Sequence, residues 1–155
     1  MVESTRVAEI SDLAGAVALL REGRADVVAA RGGRLWVERE AVSEPLEGHI
    51  GEAIADERWL VQLGFIDRVP LGITLVETEK VAAGVLAVIR ELYVTPEARG
   101  VGLGALMLDS VLTWAGTREC SGLDGYALPG DRATKNFFES FGLVARGIVV
   151  HRSIT

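Results

Sequence analysis

The stretch that decides the fold is Arg99-Gly100-Val101-Gly102-Leu103-Gly104. Val85 to Val94 before it form an apolar run that predicts a β-strand, and Ala105 to Ala115 after it predict a helix. The first turn of a helix has unpaired backbone N–H groups and a partial positive charge, so it attracts anions. Three glycines without Cβ atoms would let a phosphate approach those N–H groups closely. The sequence therefore predicts a cradle for a pyrophosphate group.

Two common phosphate-binding motifs do not fit this stretch. A P-loop has Lys followed by Ser or Thr after its last glycine, whereas here Ala105-Leu106 follow. The Rossmann fingerprint spaces its glycines G-x-G-x-x-G, whereas this stretch has G-x-G-x-G. A helix start whose glycines serve only tight packing is the alternative interpretation.

The composition is typical of a soluble globular protein with one domain over residues 1–155. Hydrophobic residues make up 49% of the chain and charged residues 25%, and the net charge is −6. Scattered basic residues argue against a nucleic-acid partner. With Cys120 as the only cysteine, no internal disulfide and no cysteine-based metal site is expected. No signal-peptide pattern and no apolar run of ~18 residues is present, so we expect a cytoplasmic protein without a membrane span.

Hydrophobic spacing predicts an alternation of helices and strands along the chain. The predicted helices cover Asp12 to Val28, Glu44 to Asp56 after the cap Ser43, the segment after the glycine stretch, and Arg132 to Phe141. The predicted strands are Arg6 to Ile10, Trp59 to Ile66, Val69 to Val76, Val85 to Val94, Leu123 to Leu128 and Val144 to Ile154. Leu35-Trp36-Val37 is too short to assign, Glu77 to Gly84 is predicted as a polar loop, and the last strand should have one wet face with His151 and Arg152.

The order of elements and two motifs together resemble the GNAT superfamily of acyl-CoA-dependent N-acyltransferases. The family's pyrophosphate motif is Gln/Arg-x-x-Gly-x-Gly/Ala, and Arg99 to Gly104 fits every specified position. Phe137-Phe138-Glu139-Ser140-Phe141-Gly142-Leu143 resembles the second motif, commonly Phe-Tyr-Glu-x-x-Gly-Phe. The resemblance implies an α/β fold of one GNAT-like domain, with a mixed central sheet of about six to seven strands flanked by about four helices.

The resemblance also implies acetyl-CoA as the acyl-donor cosubstrate and no metal. It places the acyl-CoA between the long strand and its parallel neighbour, with backbone groups at Leu92 and Val94 on the acyl carbonyl and the pantetheine arm. The residues that it assigns to acyl-CoA binding are Leu92, Tyr93, Val94, Arg99, Gly100, Val101, Gly102, Leu103 and Gly104, with Asp131 and Asn136 as further candidates.

Two positions depart from the family pattern. The family's usual general acid is a tyrosine at the position of Phe138, and a phenyl ring donates no proton, so we interpret Phe138 as packing beside the pantetheine arm. Tyr126 on the neighbouring strand is a candidate replacement. The family's usual base positions correspond by strand alternation to Arg90 and Val88, neither of which is a base.

For the acceptor side we therefore consider two charged residues of the long strand. Arg90 either selects an acceptor with a carboxylate or phosphate or pairs with a nearby acidic residue. Glu91 is the nearest candidate base, although alternation points it to the opposite face unless a β-bulge turns it.

The sequence thus predicts an N-acetyltransferase that acts on a primary amine of a small molecule or peptide by direct attack in a ternary complex. The alternatives are a non-catalytic acyl-CoA-binding or sensing module, favoured by Phe138, and an unrelated nucleotide-binding domain. Family relatives make a homodimer plausible, and the acceptor itself is not encoded in any motif.

Overall fold

The computed structural model describes residues 1–155, and its centre is one five-stranded mixed sheet. The strands are β1 (Glu3–Val7), β2 (Trp59–Ile66), β3 (Val69–Val81), β4 (Gly84–Val94) and β5 (Gly122–Asp124). They lie in the order β1-β2-β3-β4-β5. Pairing is antiparallel from β1 to β4, whereas β5 runs parallel to β4 because a helix connects the two.

Five α-helices cover the two faces of the sheet. They are α1 (Leu13–Val28), α2 (Gly33–Arg39), α3 (Leu46–Ile54), α4 (Leu103–Thr117) and α5 (Arg132–Ser140). One apolar cluster joins α1 and α3 to one face of the sheet, and a second cluster joins α4 and α5 to the other face. No helix is long and apolar enough to cross a membrane.

The α/β class and most elements agree with the sequence-based predictions, and several details differ. The first strand is Glu3–Val7 rather than Arg6 to Ile10. The sheet has five strands rather than six to seven, and there are five α-helices rather than about four. The predicted polar loop Glu77 to Gly84 is wrong, because β3 continues to Val81 and pairs with β4 up to a tight hairpin at Gly84. Leu35 to Val37 lie in α2, and the strand predicted to reach Leu128 ends at Asp124.

The predicted last strand, Val144 to Ile154, is also wrong. None of residues 144–155 belongs to a strand, and none of them takes part in a backbone–backbone hydrogen bond. Their alternation of apolar and polar residues suits a strand, but a strand also needs backbone hydrogen bonds to a neighbour, and the segment forms none. Both of its faces are exposed, so His151 and Arg152 do not mark a single wet face.

Candidate functional site

The glycine stretch forms the turn between β4 and α4. Gly100 and Gly102 have φ angles of +81° and +92°, a left-handed conformation that side chains with a Cβ rarely adopt. A Cβ built on either glycine would meet no atom within 4 Å, so the surface above the turn is open. Both residues are therefore glycine because of their backbone conformation, and their missing side chains leave the turn accessible.

The N–H groups of this turn have no partners. The backbone N–H groups of residues 100–105 donate to no backbone acceptor, and the first paired one belongs to Leu106, which donates to Gly102 at 3.0 Å. The end of α4 that carries them also carries the positive end of the helix dipole. The Arg99 side chain lies beside them, with its Nε donating to the Val94 carbonyl oxygen at 2.9 Å. This arrangement suits a pyrophosphate, which offers several acceptor oxygens and negative charge.

The cleft begins where β4 and β5 part. Their pairing ends at Val88 and Asp124, and beyond that point β4 has no neighbour on this side. The Thr95 N–H donates to the Leu71 carbonyl oxygen at 2.9 Å. Because hydrogen-bonding direction alternates along an antiparallel strand, Tyr93 then bonds towards β3, while Leu92 and Val94 direct their backbone groups into the cleft.

The cleft has a volume of about 1100 Å³ and holds most of the predicted site residues in its lining. The lining residues that the sequence singled out are Arg90, Glu91, Leu92, Tyr93, Val94, Arg99, Gly100, Gly102, Gly104, Tyr126, Asp131 and Phe138. Val101 and Leu103 are not among the lining residues, and the Leu103 side chain is buried in the core. Asn136 is exposed and lies outside the lining, so the structure does not bring it to the site.

Residues 33–143 match the model of the acetyltransferase (GNAT) family. The chain belongs to the GNAT acetyltransferase family. A search of curated protein sequences gives no match.

Solved structures show the same GNAT fold at low sequence identity. A predicted acetyltransferase from Clostridium acetobutylicum, crystallised with acetyl-CoA, is 14% identical with a TM-score of 0.74, and the match covers 99% of this chain and 97% of that one. The ribosomal-protein-alanine N-acetyltransferase of Brucella melitensis biovar Abortus 2308 is 14% identical with a TM-score of 0.70, over 99% and 100% of the two chains. An aminoglycoside acetyltransferase, meta-AAC0020, from an uncultured soil metagenomic sample and in complex with sisomicin, is 18% identical with a TM-score of 0.71, over 99% and 95%.

Phe138 is a packing residue in this GNAT domain. Its side chain is 6% exposed and belongs to the apolar cluster beneath α4 and α5. The ring tip, Cζ, lies 2.7 Å from where a Cβ on Gly125 would stand. The ring therefore fills the space that the glycine leaves, and it forms part of the cleft wall.

Tyr126 follows Gly125 directly and is the more accessible of the two tyrosines in the cleft, with 42% of its surface exposed. The other one, Tyr93, packs its ring against Gly23 of α1. Burial raises the pKa of the Tyr93 phenol to about 12, and the nearby Glu22 carboxylate adds to the rise. Its Oη is buried without a hydrogen-bond partner. Tyr126 is therefore the tyrosine whose hydroxyl can meet a bound molecule.

Asp131 lies in the cleft wall as the N-cap of α5. Its carboxylate accepts hydrogen bonds from the Thr134 N–H at 3.1 Å and from the Thr134 hydroxyl at 2.7 Å. Capping satisfies an otherwise unpaired N–H group of the first helical turn. This structural role occupies the carboxylate that the family resemblance assigned to the pantetheine arm.

A β-bulge in β4 decides where the two charged candidates point. Leu75 of β3 pairs with Glu91 and Val76 pairs with Ile89. Arg90 is therefore an extra residue in β4 that has no opposite residue in β3. The bulge places Arg90 and Glu91 on the same face, towards α1 and α3, whereas Leu92 packs on the α4 face. The expectation from simple alternation that Arg90 shares a face with Leu92 is wrong for this reason.

Both charged residues have partners within the chain. The Arg90 Nε donates to Glu77 Oε2 at 3.0 Å, and both residues also line a second cavity of about 410 Å³. Glu91 is 6% exposed, and its oxygens accept from Arg24 Nε at 3.0 Å and Nη2 at 2.8 Å. The Val42 N–H adds a third bond at 3.2 Å.

Sequence reasoning missed Arg24, although a signal was present. Arg24 continues the apolar stripe of α1 that contains Val17 and Leu20, so a charged residue stands on the buried face of the helix. A buried guanidinium requires a carboxylate, and that requirement pointed to a partner elsewhere in the chain. The partner, Glu91, is 67 residues away.

Proposed function

We propose that this GNAT domain transfers an acetyl group from acetyl-CoA to a primary amine of a small molecule or peptide, by direct attack with both substrates bound in the cleft. The observation that carries the proposal is the row of unpartnered N–H groups at residues 100–105, at the mouth of a cleft between two parted strands. When bound, acetyl-CoA supplies an activated acyl thioester.

The chain's residues divide the work between them. The N–H groups of residues 100–105 hold the pyrophosphate, and the backbone groups of Leu92 and Val94 hold the pantetheine arm and the acyl carbonyl. A fixed N–H at the carbonyl oxygen stabilises the negative charge that develops there during attack. Holding the amine in the same cleft supplies much of the remaining rate.

The same fold serves different acceptors in the proteins compared above, namely a ribosomal-protein alanine and an aminoglycoside. Both are amines, which supports an amine acceptor here without selecting one.

The first experiment measures thiol release from acetyl-CoA with a panel of amines, together with acetyl-CoA binding by calorimetry. Gly102→Ala should weaken binding by ten-fold or more, because a Cβ at this position obstructs the cradle and strains the turn, a strain of about 1–2 kcal/mol. Gly142→Ala is the matched control, since Gly142 has a φ of +86° and open space but lies outside the cleft.

Two results would contradict the proposal. If the Gly102→Ala protein bound acetyl-CoA as tightly as the unsubstituted protein, the glycine turn would not be the pyrophosphate site. Binding of acetyl-CoA without thiol release for any amine would instead favour a non-catalytic acyl-CoA-binding module, the alternative that Phe138 favours.

Tyr126 is the proposed proton donor to the leaving thiolate. Tyr126→Phe should lower kcat by about 10²–10⁴-fold, the usual contribution of general acid–base catalysis, while acetyl-CoA affinity stays the same. Steady-state kinetics and calorimetry separate the two effects. An unchanged kcat would exclude Tyr126, and a thiolate leaving without assistance would then explain turnover.

Glu91 as the general base stays a prediction, and its contacts favour a positioning role. Arg24 and the Val42 N–H occupy both carboxylate oxygens, which leaves little capacity to accept a proton from an amine.

Arg90 is proposed to bind a carboxylate or phosphate on the acceptor, because it lines both cavities and its guanidinium has donors beyond the one given to Glu77. Arg90→Ala should raise the KM for an anionic acceptor several-fold and leave acetyl-CoA binding unchanged. An unaltered KM and kcat would show that Arg90 serves only its pair with Glu77.

A further inference from the structure

The second cavity, of about 410 Å³, lies beside the cleft, and its lining comes from α2, α3, the segment between them and the sheet. Its volume is in the range of small-molecule sites. Only four of its thirteen lining residues are hydrophobic, so it suits a polar ligand. Arg90 belongs to the lining of both cavities, and the two therefore adjoin at this side chain.

Arg90 brings a positive charge with unused hydrogen-bond donors to the second cavity. Its side chain is 21% exposed, and only its Nε has a partner in the chain, the Glu77 carboxylate at 3.0 Å. The N–H groups of Nη1 and Nη2 have no acceptor in the chain. A carboxylate matches these donors, because its two oxygens accept parallel N–H bonds from one guanidinium.

Glu40 and His49 bring hydrogen-bond acceptors to the same cavity. The Glu40 side chain is 19% exposed, and Arg39 Nη1 donates to its Oε1 at 3.1 Å, which leaves Oε2 without a partner. His49 Nδ1 lies 2.6 Å from the Ser43 carbonyl oxygen. Because a carbonyl oxygen only accepts, Nδ1 carries the proton, and Nε2 of the neutral ring is then an acceptor. These two acceptors match a ligand that carries an ammonium group.

The ligand of the second cavity must therefore carry both charges. A diamine has no carboxylate for Arg90, and a dicarboxylate has no donor for Glu40. A phosphate is disfavoured because carboxylates outnumber guanidinium groups in the lining, which contains Glu40, Glu52, Asp56 and Glu77 against Arg39, Arg58 and Arg90. The compact group that has one ammonium and one carboxylate is the α-carbon end of a free amino acid.

We propose that the second cavity binds the α-amino and α-carboxylate groups of a free diamino acid, such as lysine or ornithine, while its side-chain amine extends past Arg90 into the cleft. The inference rests on the proposed function, because it names the acceptor of the same transfer. The neutral side-chain nitrogen bonds to the acetyl carbonyl carbon, the thioester C–S bond breaks, and the proton that the nitrogen loses ends on the CoA thiol. A lysine within a peptide lacks the free α-groups, so the acceptor is a small molecule.

Matched ligands test the cavity without requiring turnover. Calorimetry in the presence of CoA compares L-lysine with cadaverine, which lacks the carboxylate, and with Nα-acetyl-lysine, which lacks the α-ammonium charge. L-ornithine is compared with putrescine in the same way. We expect the better-bound of the two amino acids to bind about ten-fold more tightly than its matched compounds, because each of them lacks one charged hydrogen-bonding group.

Glu40→Gln tests the ammonium side of the cavity. It should weaken binding of the amino acid about ten-fold and leave acetyl-CoA binding unchanged. Glu38→Gln is the matched control, since Glu38 lies two residues earlier, is exposed and is outside the lining of both cavities. It removes the same charge from the chain and should leave amino-acid affinity unchanged. On the carboxylate side, Arg90→Ala should abolish the preference for lysine over cadaverine.

The proposal is overturned if neither amino acid binds more tightly than its diamine, or if Glu38→Gln and Glu40→Gln weaken binding equally. Failure of the proposed function gives a different result. Amino-acid binding that Glu40→Gln weakens, without thiol release from acetyl-CoA, would support the cavity as an amino-acid site and contradict acetyl transfer. Thiol release with many amines and no preference for free α-groups would support acetyl transfer and contradict the assignment of the second cavity.

Discussion

At the residue scale, the contact between Phe138 and Gly125 limits which side chains residue 138 accepts. The tip of its ring abuts Gly125, and any side chain at residue 125 would collide with the ring. A tyrosine at residue 138 would project its hydroxyl towards the Gly125 backbone rather than along the cleft. The contact between Gly125 and Phe138 therefore leaves little room for a hydroxyl at residue 138, and the accessible phenol of the cleft is that of Tyr126.

This packing predicts the effect of restoring the family's residue. Phe138→Tyr should reduce the free energy of unfolding by about 1–3 kcal/mol, because it overfills a well-packed site. It should not increase kcat, since the hydroxyl does not reach the cleft. Urea unfolding and the thiol-release assay check the two halves. An unchanged stability with a higher kcat would mean that the hydroxyl enters the cleft.

At the scale of elements, the bulge in β4 joins the strand to α1. A regular strand would send Arg90 and Glu91 to opposite faces, and the extra residue instead turns both towards α1 and α3. Glu91 then meets Arg24, and the Val42 N–H ties the segment between α2 and α3 to the same carboxylate. One ion pair thus holds β4, α1 and the segment between α2 and α3 in place relative to each other.

The buried position of this pair predicts a large effect for breaking it. Arg24→Met should cost about 3–5 kcal/mol in the free energy of unfolding, because it leaves the Glu91 carboxylate buried without a countercharge. The double variant Arg24→Met with Glu91→Leu should recover most of that loss. Urea unfolding of the single and double variants measures both values.

Arg21, one turn earlier in α1, provides the control. Its pairs with Glu44 and Glu47 are solvent-exposed, so Arg21→Met should cost less than about 1 kcal/mol. A similar small loss for Arg24→Met would show that its pair contributes little to stability.

At the scale of the whole molecule, the features that were predicted from the sequence are those that depend on residues close together in the chain. The cradle and its flanking strand and helix depend on glycines and on hydrophobic spacing within about twenty residues, and the bounds of β2, Trp59–Ile66, agree with the prediction. The bulge at Arg90 has no residue-type signature, and the pairing of Arg24 with Glu91 joins residues far apart in the chain. Neither could be predicted without the register of β3 against β4.

The segment 144–155 failed as a predicted strand for a different reason. Alternating apolar and polar residues are typical of a strand, but alternation does not supply the neighbouring strand that pairing requires, and residues 144–155 form no backbone hydrogen bond. A sequence pattern indicates that a segment favours strand pairing, but it does not identify the strand with which the segment would pair.

The cradle at residues 100–105 has a consequence for how this molecule tolerates mutation. Its ligand-facing groups are main-chain amides, and no side-chain substitution removes an amide other than one to proline. The walls around Arg90 and Tyr126 consist of side chains, which substitution alters directly. In the proposed function, donor recognition thus depends on the main chain and on the left-handed conformation of Gly100 and Gly102, whereas acceptor recognition depends on side chains. Most substitutions in the cleft should therefore alter the choice of acceptor before they alter the choice of donor.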